Sequence, residues 1–411
     1  MKLLDLHLKN IGPFFDDKIE FATFENSNKQ VTILTGENGT GKTIVLDAIR
    51  KMLLGDSDLF GNVKRQINRN FLFNIYLNLE VEKEKIELES SEVTEDGLEV
   101  LRNGIPYRII SHAFLDAKDQ KNKLWIVNYW TSQNDDKPFH ISSFDFIKPE
   151  EYLIGALKGF QKNAETTKII TFFDYYKSSD KLDQKKEGEY IYETIKRIFK
   201  ISLNEGELKY VDRTTLLPII EINGNEISLE KLSSGNLYLI QRMLGLLSQM
   251  YSVYKLNDLA LEDMLKTPGV LLIDEAENHL HPKWQKTFLN SILEIFPNLQ
   301  IIATTHSPFI VGSVDGAKVY VCKSKENHSV IEDETSEYSN KPIDEILVSE
   351  VFGGTSPFAN EKIVELLEQR KKAIKSRDKN LENKIEDELK QINPQYFSYL
   401  ELDNLLKSIS K

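Results

Sequence analysis

The run Gly36-Glu37-Asn38-Gly39-Thr40-Gly41-Lys42-Thr43 satisfies G-x-x-x-x-G-K-[ST] at every position. Its chemistry is phosphate binding. The glycines let backbone N–H groups curl around a β-phosphate, and the N-terminus of a following helix adds its positive dipole. Lys42 is placed to reach the β- and γ-phosphates, and the Thr43 hydroxyl to ligate Mg2+. A second group is Asp274 and Glu275, which end the apolar run Val270-Leu271-Leu272-Ile273. A buried strand would deliver both to the carboxyl edge of a sheet, beside the phosphate loop. Neighbours on a strand diverge, so the two carboxylates take different work. Asp274 suits the water shell of Mg2+, and Glu275 suits a general base acting on water.

Two further segments carry polar groups at element ends. Leu232-Ser233-Ser234-Gly235-Asn236 precedes an apolar-periodic stretch. It reads either as a second anion-binding helix start or as a plain serine cap. Ile301-Ile302-Ala303-Thr304 runs into Thr305-His306-Ser307. Beside a γ-phosphate, His306 could donate a hydrogen bond and sense hydrolysis; otherwise it is structural. His279-x-His281 could suggest a metal pair, but Pro282 immediately after reads as the first residue of a helix, which weighs against it.

The elements that must position these groups follow from patterning. Val31-Thr32-Ile33-Leu34 is a short apolar strand, and Ile44, Leu46, Ala48 and Ile49 have helical spacing behind the phosphate loop. Asn74–Glu89 alternates with period two, as half-buried antiparallel strands do. Residues 145–200 read as helices around one β-like run, Ile169–Tyr176. Strands and helices then alternate: Leu216–Ile222, a helix near Gly235–Val253, Val270–Ile273, a helix from Pro282, and Ile301–Thr304. The fold expected is α/β, a P-loop NTPase with a mixed sheet, an antiparallel N-terminal β subdomain, a helical insertion and a helical C-terminal tail. The divisions expected are 1–145, 146–204, 205–325 and 326–411. In the tail, Ile363, Leu367, Ile374, Leu381 and Ile385 mark an amphipathic helix or helical pair.

Composition narrows the classes. The 411 residues are 40% hydrophobic and 28% charged, enough for a core and too apolar for global disorder. The net charge of −12 argues against a uniformly basic nucleic-acid binder. One cysteine, Cys322, excludes an intrachain disulfide framework. No stretch is apolar for the length a membrane span needs. A cytoplasmic setting is expected.

Taken in order, GENGTGKT, LSSGN, LLIDEAENHLHP and ATTHSP resemble the motifs of ABC-type ATPase heads of the RecF and SMC group. Within it the set is most similar to the overcoming-lysogenization-defect and Septu-like anti-phage branch. The resemblance covers residues 1–325. It implies that Gly36–Thr43 is the Walker A motif, Leu232–Asn236 the ABC signature, and Asp274 with Glu275 the Walker B end. It further implies that Glu277–His281 is the D-loop and His306 the switch histidine. ATP and Mg2+ are the implied ligands, with two ATP held between two copies and the signature of one copy capping the γ-phosphate held by the other. The signature here is SSGN where SGGQ is common. The Q-loop residue is assigned to Gln133, with the Asp174–Lys177 turn as rival.

The resemblance also implies a separately encoded effector, expected to be a nuclease. No sustained heptad lies between Thr43 and Ser233, so no long coiled-coil arm is expected. The acidic residues Glu332–Glu334 have no strong strand setting, so no nuclease is expected in this chain. Two alternatives stay open. One is a RecF-like repair ATPase acting on DNA through Lys64, Arg65 and Arg69. The other is a scaffold that needs ATP only for assembly.

Overall fold

The computed structural model describes residues 1–55, 73–94, 97–110, 123–131, 146–153, 163–203, 206–339, 341–347, 349–352, 361–376 and 378–394, with Phe139, Ile141, Leu157 and Phe397 besides. The chain opens with the hairpin β1 (Lys2–Ile11) and β2 (Phe14–Glu20). It then enters β3 (Val31–Gly36) and helix α1 (Lys42–Leu54). An antiparallel run follows: β4 (Asn74–Val81), β5 (Glu84–Thr94), β6 (Gly97–Arg102) and β7 (Ile105–Pro106). After β8 (Ile126–Trp130) come helices α2 (Asn163–Tyr176) and α3 (Leu182–Leu203). The small three-stranded sheet β9 (Gly206–Val211), β10 (Pro218–Ile222) and β11 (Asn225–Ser228) is next. Helix α4 (Ser234–Leu256) leads to β12 (Gly269–Ile273), α5 (Pro282–Gln285), α6 (Phe288–Ile295) and β13 (Leu299–Thr304). Then come α7 (Pro308–Val311), β14 (Lys318–Ser324) and β15 (Ser329–Asp333).

Twelve of these strands form one sheet in the order β7-β6-β5-β4-β1-β2-β15-β14-β3-β13-β12-β8. It has two regimes. From β14 to β8 the strands are parallel. Strands β3, β8, β12 and β13 are buried at every residue. Burial on both faces is why they read as unbroken apolar runs. From β1 through β7 the pairing is antiparallel. There β4 alternates buried with half-buried residues, because one face stays open.

The parallel register decides where chemistry can gather. Ile273 lies opposite both Ala303 and Trp130, and Thr304 lies opposite Leu34. The carboxyl ends of β3, β8, β12 and β13 therefore reach one sheet edge together. A buried glutamine ties this parallel block to β1. Gln300 accepts from the Leu3 N–H at 2.7 Å, and its amide donates to the carbonyls of Leu3 at 2.8 Å and Ala22 at 2.9 Å.

Several expectations change. Ile169–Tyr176 is the second half of helix α2 and not a strand. Ile169, Ile170, Phe172 and Phe173 are all buried, and Phe173 meets Tyr251 of α4 edge-on at 5.1 Å. A short apolar run suits a buried helix as well as a buried strand, and periodicity does not separate them. Leu216 has φ 59° and belongs to the turn before β10. The helix from Pro282 stops at Gln285, and a second begins at Phe288. Glu332 does sit on a strand, since β15 pairs antiparallel with β14. Both Glu332 and Glu334 accept from Lys323 Nζ at 2.5 Å.

The described residues divide into two compact units, Met1–Ile346 and Leu347–Lys411. Strand β15 thus belongs to the first unit, beyond the 325 boundary expected. In the second, helices α8 (Glu361–Ser376) and α9 (Lys379–Ile392) pack around Leu366, Ala373, Ile385, Leu389 and Phe397. Arg370 pairs with the buried Glu386 at 2.7 Å. Ile363 and Leu367 join this cluster, but Ile374 and Leu381 are exposed.

Gln300 yields a stability prediction. Gln300→Leu orphans one buried N–H and two buried carbonyls, each worth roughly 1–3 kcal/mol. Global stability should fall by about 3 kcal/mol, read as a lower urea midpoint at unchanged slope. A midpoint equal to that of the parent chain would show that these groups find other partners.

Candidate functional site

The phosphate loop is held by its neighbours as much as by its own sequence. Gly36 closes β3 with φ 140°, and a Cβ there would lie 2.2 Å from the Cys322 carbonyl oxygen of β14. Only glycine fits that approach. Pro13 of the hairpin turn and Phe14 at the start of β2 press on Gly41, the residue that caps α1. Gly39 faces open space.

Lys42 is buried and its ammonium donates to the carbonyls of Gly36 at 3.0 Å and Glu37 at 2.7 Å. Burial holds its pKa below the usual lysine value. The Thr43 hydroxyl donates to Asp274 Oδ1 at 3.1 Å, and the Thr304 hydroxyl donates to the same oxygen at 2.7 Å. Burial raises the Asp274 pKa, partly offset by these two bonds. Glu275 adopts φ 52°, an uncommon conformation for a residue with a side chain. Its N–H donates to the Thr304 hydroxyl at 2.8 Å, and its Oε2 accepts from the Asn278 amide. His306 is half-buried and lines the same cavity as Lys42. Burial lowers its pKa first and the Lys42 charge lowers it further, which favours the neutral ring.

One cavity of about 300 Å³ collects Asn38, Gly39, Gly41, Lys42, Thr43, Ile44, Glu275, Thr304 and His306. The structure therefore brings together the phosphate loop, the acidic strand end and the histidine strand end. A hydroxyl and a buried carboxylate offer hard oxygen ligands, which suit Mg2+. Thr43 and Asp274 fit that ion.

Glu277 binds the next loop. Its Oε2 accepts from the Thr305 hydroxyl and its Oε1 from the His306 N–H, both at 2.7 Å. Gln285 donates to the Leu280 carbonyl at 2.8 Å and accepts from the Ser307 hydroxyl at 2.6 Å. Glu277 was singled out from sequence only as the start of the D-loop, and neither Gln285 nor the double use of Thr304 was. Their partners lie on other elements, so no local pattern marks them.

The serines stand apart. Ser233 and Ser234 are exposed and do not line the cavity. Ser233 caps α4 by accepting from the Asn236 N–H at 3.4 Å. Gly235 is buried, and a Cβ there would sit 2.1 Å from the His279 carbonyl oxygen. His281 accepts from the Lys283 N–H at 3.3 Å, a cap on α5. Among the described residues no three His, Cys, Asp or Glu side chains form a metal cluster.

Asp174 lies on α2, paired with Lys177 at 2.8 Å and Arg213 at 2.9 Å. The rival Q-loop turn is therefore a helical segment locked in ion pairs. Gln133, Lys64, Arg65 and Arg69 lie outside the described residues.

Residues 31–312 match the family model described as "AAA domain, putative AbiEii toxin, Type IV TA system". The chain belongs to this family. The ATPase is 25% identical over 383 residues to the "Retron Vc95 probable ATPase" of Vibrio cholerae serotype O1 biovar El Tor, covering 77% of this chain and 73% of that one. It is 23% identical over 366 residues to the "Septu protein PtuA" of Bacillus mycoides, covering 87% of this chain but 46% of that protein. Among solved structures it is similar to the SMC head domain from Thermotoga maritima, at 17% identity and TM-score 0.45 over 81% of this chain and 99% of that one. No described helix of the ATPase is long and apolar enough to cross a membrane.

The Gly235 contact makes a testable claim. Gly235→Ala must push α4 away from the loop that holds His279. Overpacking of this kind costs about 1–3 kcal/mol. A thermal melt should show the loss without nucleotide, whereas Ser234→Ala, at an exposed position, should melt like the parent. Equal melting of all three proteins would mean that the helix start yields freely.

Proposed function

We propose that this ATPase binds ATP with Mg2+ in the cavity between α1 and the ends of β12 and β13, and hydrolyses it. The observation that carries the reading is that one cavity is lined at once by Lys42, Thr43, Glu275, Thr304 and His306. Lys42 exchanges its carbonyl partners for phosphate oxygens when ATP enters. Mg2+, held by Thr43 and Asp274, would neutralise charge on the β- and γ-phosphates. Glu275 takes the proton of the attacking water while Asn278 fixes its other oxygen. The neutral imidazole of His306 donates toward the γ-phosphate.

Ser233 and Ser234 are exposed and absent from this cavity. That supports a composite site in which they act on ATP held by a second copy. The retron and Septu names of the relatives support a role in anti-phage defence, in the cytoplasm. There the ATPase controls a separately encoded effector, a nuclease. The chain spans 46% of the length of that Septu relative.

Lys42→Ala should abolish ATP binding. Glu275→Gln should bind normally yet lose turnover by about 10²-fold or more, the scale of a lost general base. Phosphate release and a nucleotide-binding assay read both. Near-parental turnover in Glu275→Gln would remove the base from Glu275.

Sharing of the site is tested by complementation. Ser234→Arg should bind ATP and fail to hydrolyse it. Co-expressed with Lys42→Ala, it gives mixed dimers with one intact site each. Random pairing makes about half the dimers mixed, so about a quarter of parental activity should return. If confirmed mixed dimers stay as inactive as both single variants, the serines do not act across a symmetric pair of independent sites.

A further inference from the structure

We propose that Glu277 is a positioning residue for hydrolysis: both oxygens of its carboxylate hold the loop that carries His306, and so lock the loop after β12 to the loop after β13. The proposal rests on the ATP site described above but concerns a residue that does not line the cavity.

The clamp is complete on both sides. Glu277 Oε1 accepts from the backbone N–H of His306, and Oε2 accepts from the hydroxyl of Thr305, each at 2.7 Å. Thr305 is fully buried, so its hydroxyl has no solvent alternative. The same hydroxyl oxygen accepts from the Ser307 N–H at 2.9 Å. Three successive residues of the histidine loop therefore depend, directly or through one hydroxyl, on a single carboxylate. The loop carrying Glu277 is held in turn. Its N-terminal end is pinned by Glu275 N–H and Ala276 N–H on Thr304, at 2.8 and 2.9 Å. Its C-terminal end is pinned by Gln285, which also takes the Ser307 hydroxyl. Charge-assisted bonds of this kind are short and strong, and a half-buried carboxylate strengthens them. Glu277 acts through His306, which lines the cavity together with Lys42 and Glu275.

The chemistry separates geometry from charge. The His306 N–H can only donate, but the Thr305 hydroxyl can donate or accept. A glutamine at 277 can accept from His306 through its oxygen and donate to Thr305 through its nitrogen. It keeps both contacts and loses the charge. An alanine loses both contacts.

Glu277→Ala, Glu277→Gln and Thr305→Val are compared with the parent by three measurements: hydrogen–deuterium exchange of segment 304–309 without nucleotide, ATP affinity, and kcat. In Glu277→Ala, exchange of the His306 amide should rise about tenfold or more as the loop opens locally. Its kcat should fall about 10²-fold, the usual result of a slightly misplaced group, with ATP affinity within about threefold of parental. Glu277→Gln should stay within about threefold of the parent on all three. Thr305→Val keeps the His306 bond and should fall between them.

Parental exchange and kcat in Glu277→Ala overturn the proposal. So does a Glu277→Gln protein with parental exchange but the alanine variant's kcat, since the charge itself would then be the active feature. If Glu277→Ala fails to fold, Thr305→Val decides: unchanged exchange and kcat there overturn the clamp. If the parent neither binds nor hydrolyses ATP, the functional reading fails, and the exchange data still decide the clamp.

Discussion

Thr304 is the residue on which two strand ends agree. Its hydroxyl donates to Asp274 and accepts from the Glu275 N–H, and its carbonyl accepts from the Ala276 N–H. One residue of β13 thus fixes three consecutive residues after β12. Those bonds exist only because Ile273 lies opposite Ala303 in parallel register. A slip of one residue would turn each side chain to the opposite face of the sheet. Close packing of side chains on both faces of β3, β12 and β13 opposes that slip, so the apolar core and the placement of the carboxylates are one constraint.

The site pays in electrostatics for its position. Asp274 is buried with a raised pKa, and Lys42 is buried with a lowered one. Each charged form is disfavoured by loss of water and favoured by the opposite charge a ligand would bring. Nearby, Arg50 of α1 offsets Asp47 at 2.7 Å and donates to the Leu157 carbonyl at 3.0 and 2.8 Å. Its guanidinium stacks 3.8 Å from the Tyr129 ring centroid on β8. Helix α1 is therefore tied to the sheet edge behind the phosphate loop by a cation that is fully engaged.

What the amino-acid order discloses is what depends on neighbours in sequence. Gly36–Thr43 is legible because turn, cradle and helix start are consecutive. The strand ending in Asp274 and Glu275 is legible because burial on both faces leaves an unbroken apolar run. Ile169–Tyr176 misleads because β-branched and aromatic residues pack as well inside a buried helix as in a strand, and α4 supplied the packing. Strand β15 is short and declares itself only beside β14. Ile374 and Leu381 fit a helical stripe but face solvent, since α8 and α9 meet through Leu366, Ala373, Ile385 and Leu389. Glu277 was legible as a loop residue, not as a clamp, because Thr305 and His306 come from the next strand.

The contact between Gly235 and the His279 carbonyl has an evolutionary consequence. Helix α4 and the loop after β12 are separated in sequence by β12 and a 3₁₀ turn, yet they meet with no space for a methyl group. A segment exchanged with a relative by recombination would bring one surface without the other. Grafts that carry the loop alone inherit whatever residue stands at the helix start, and any side chain there strikes a backbone oxygen that no rotamer can move. A side chain at position 235 is therefore admitted only together with a matching shift of the loop that holds His279.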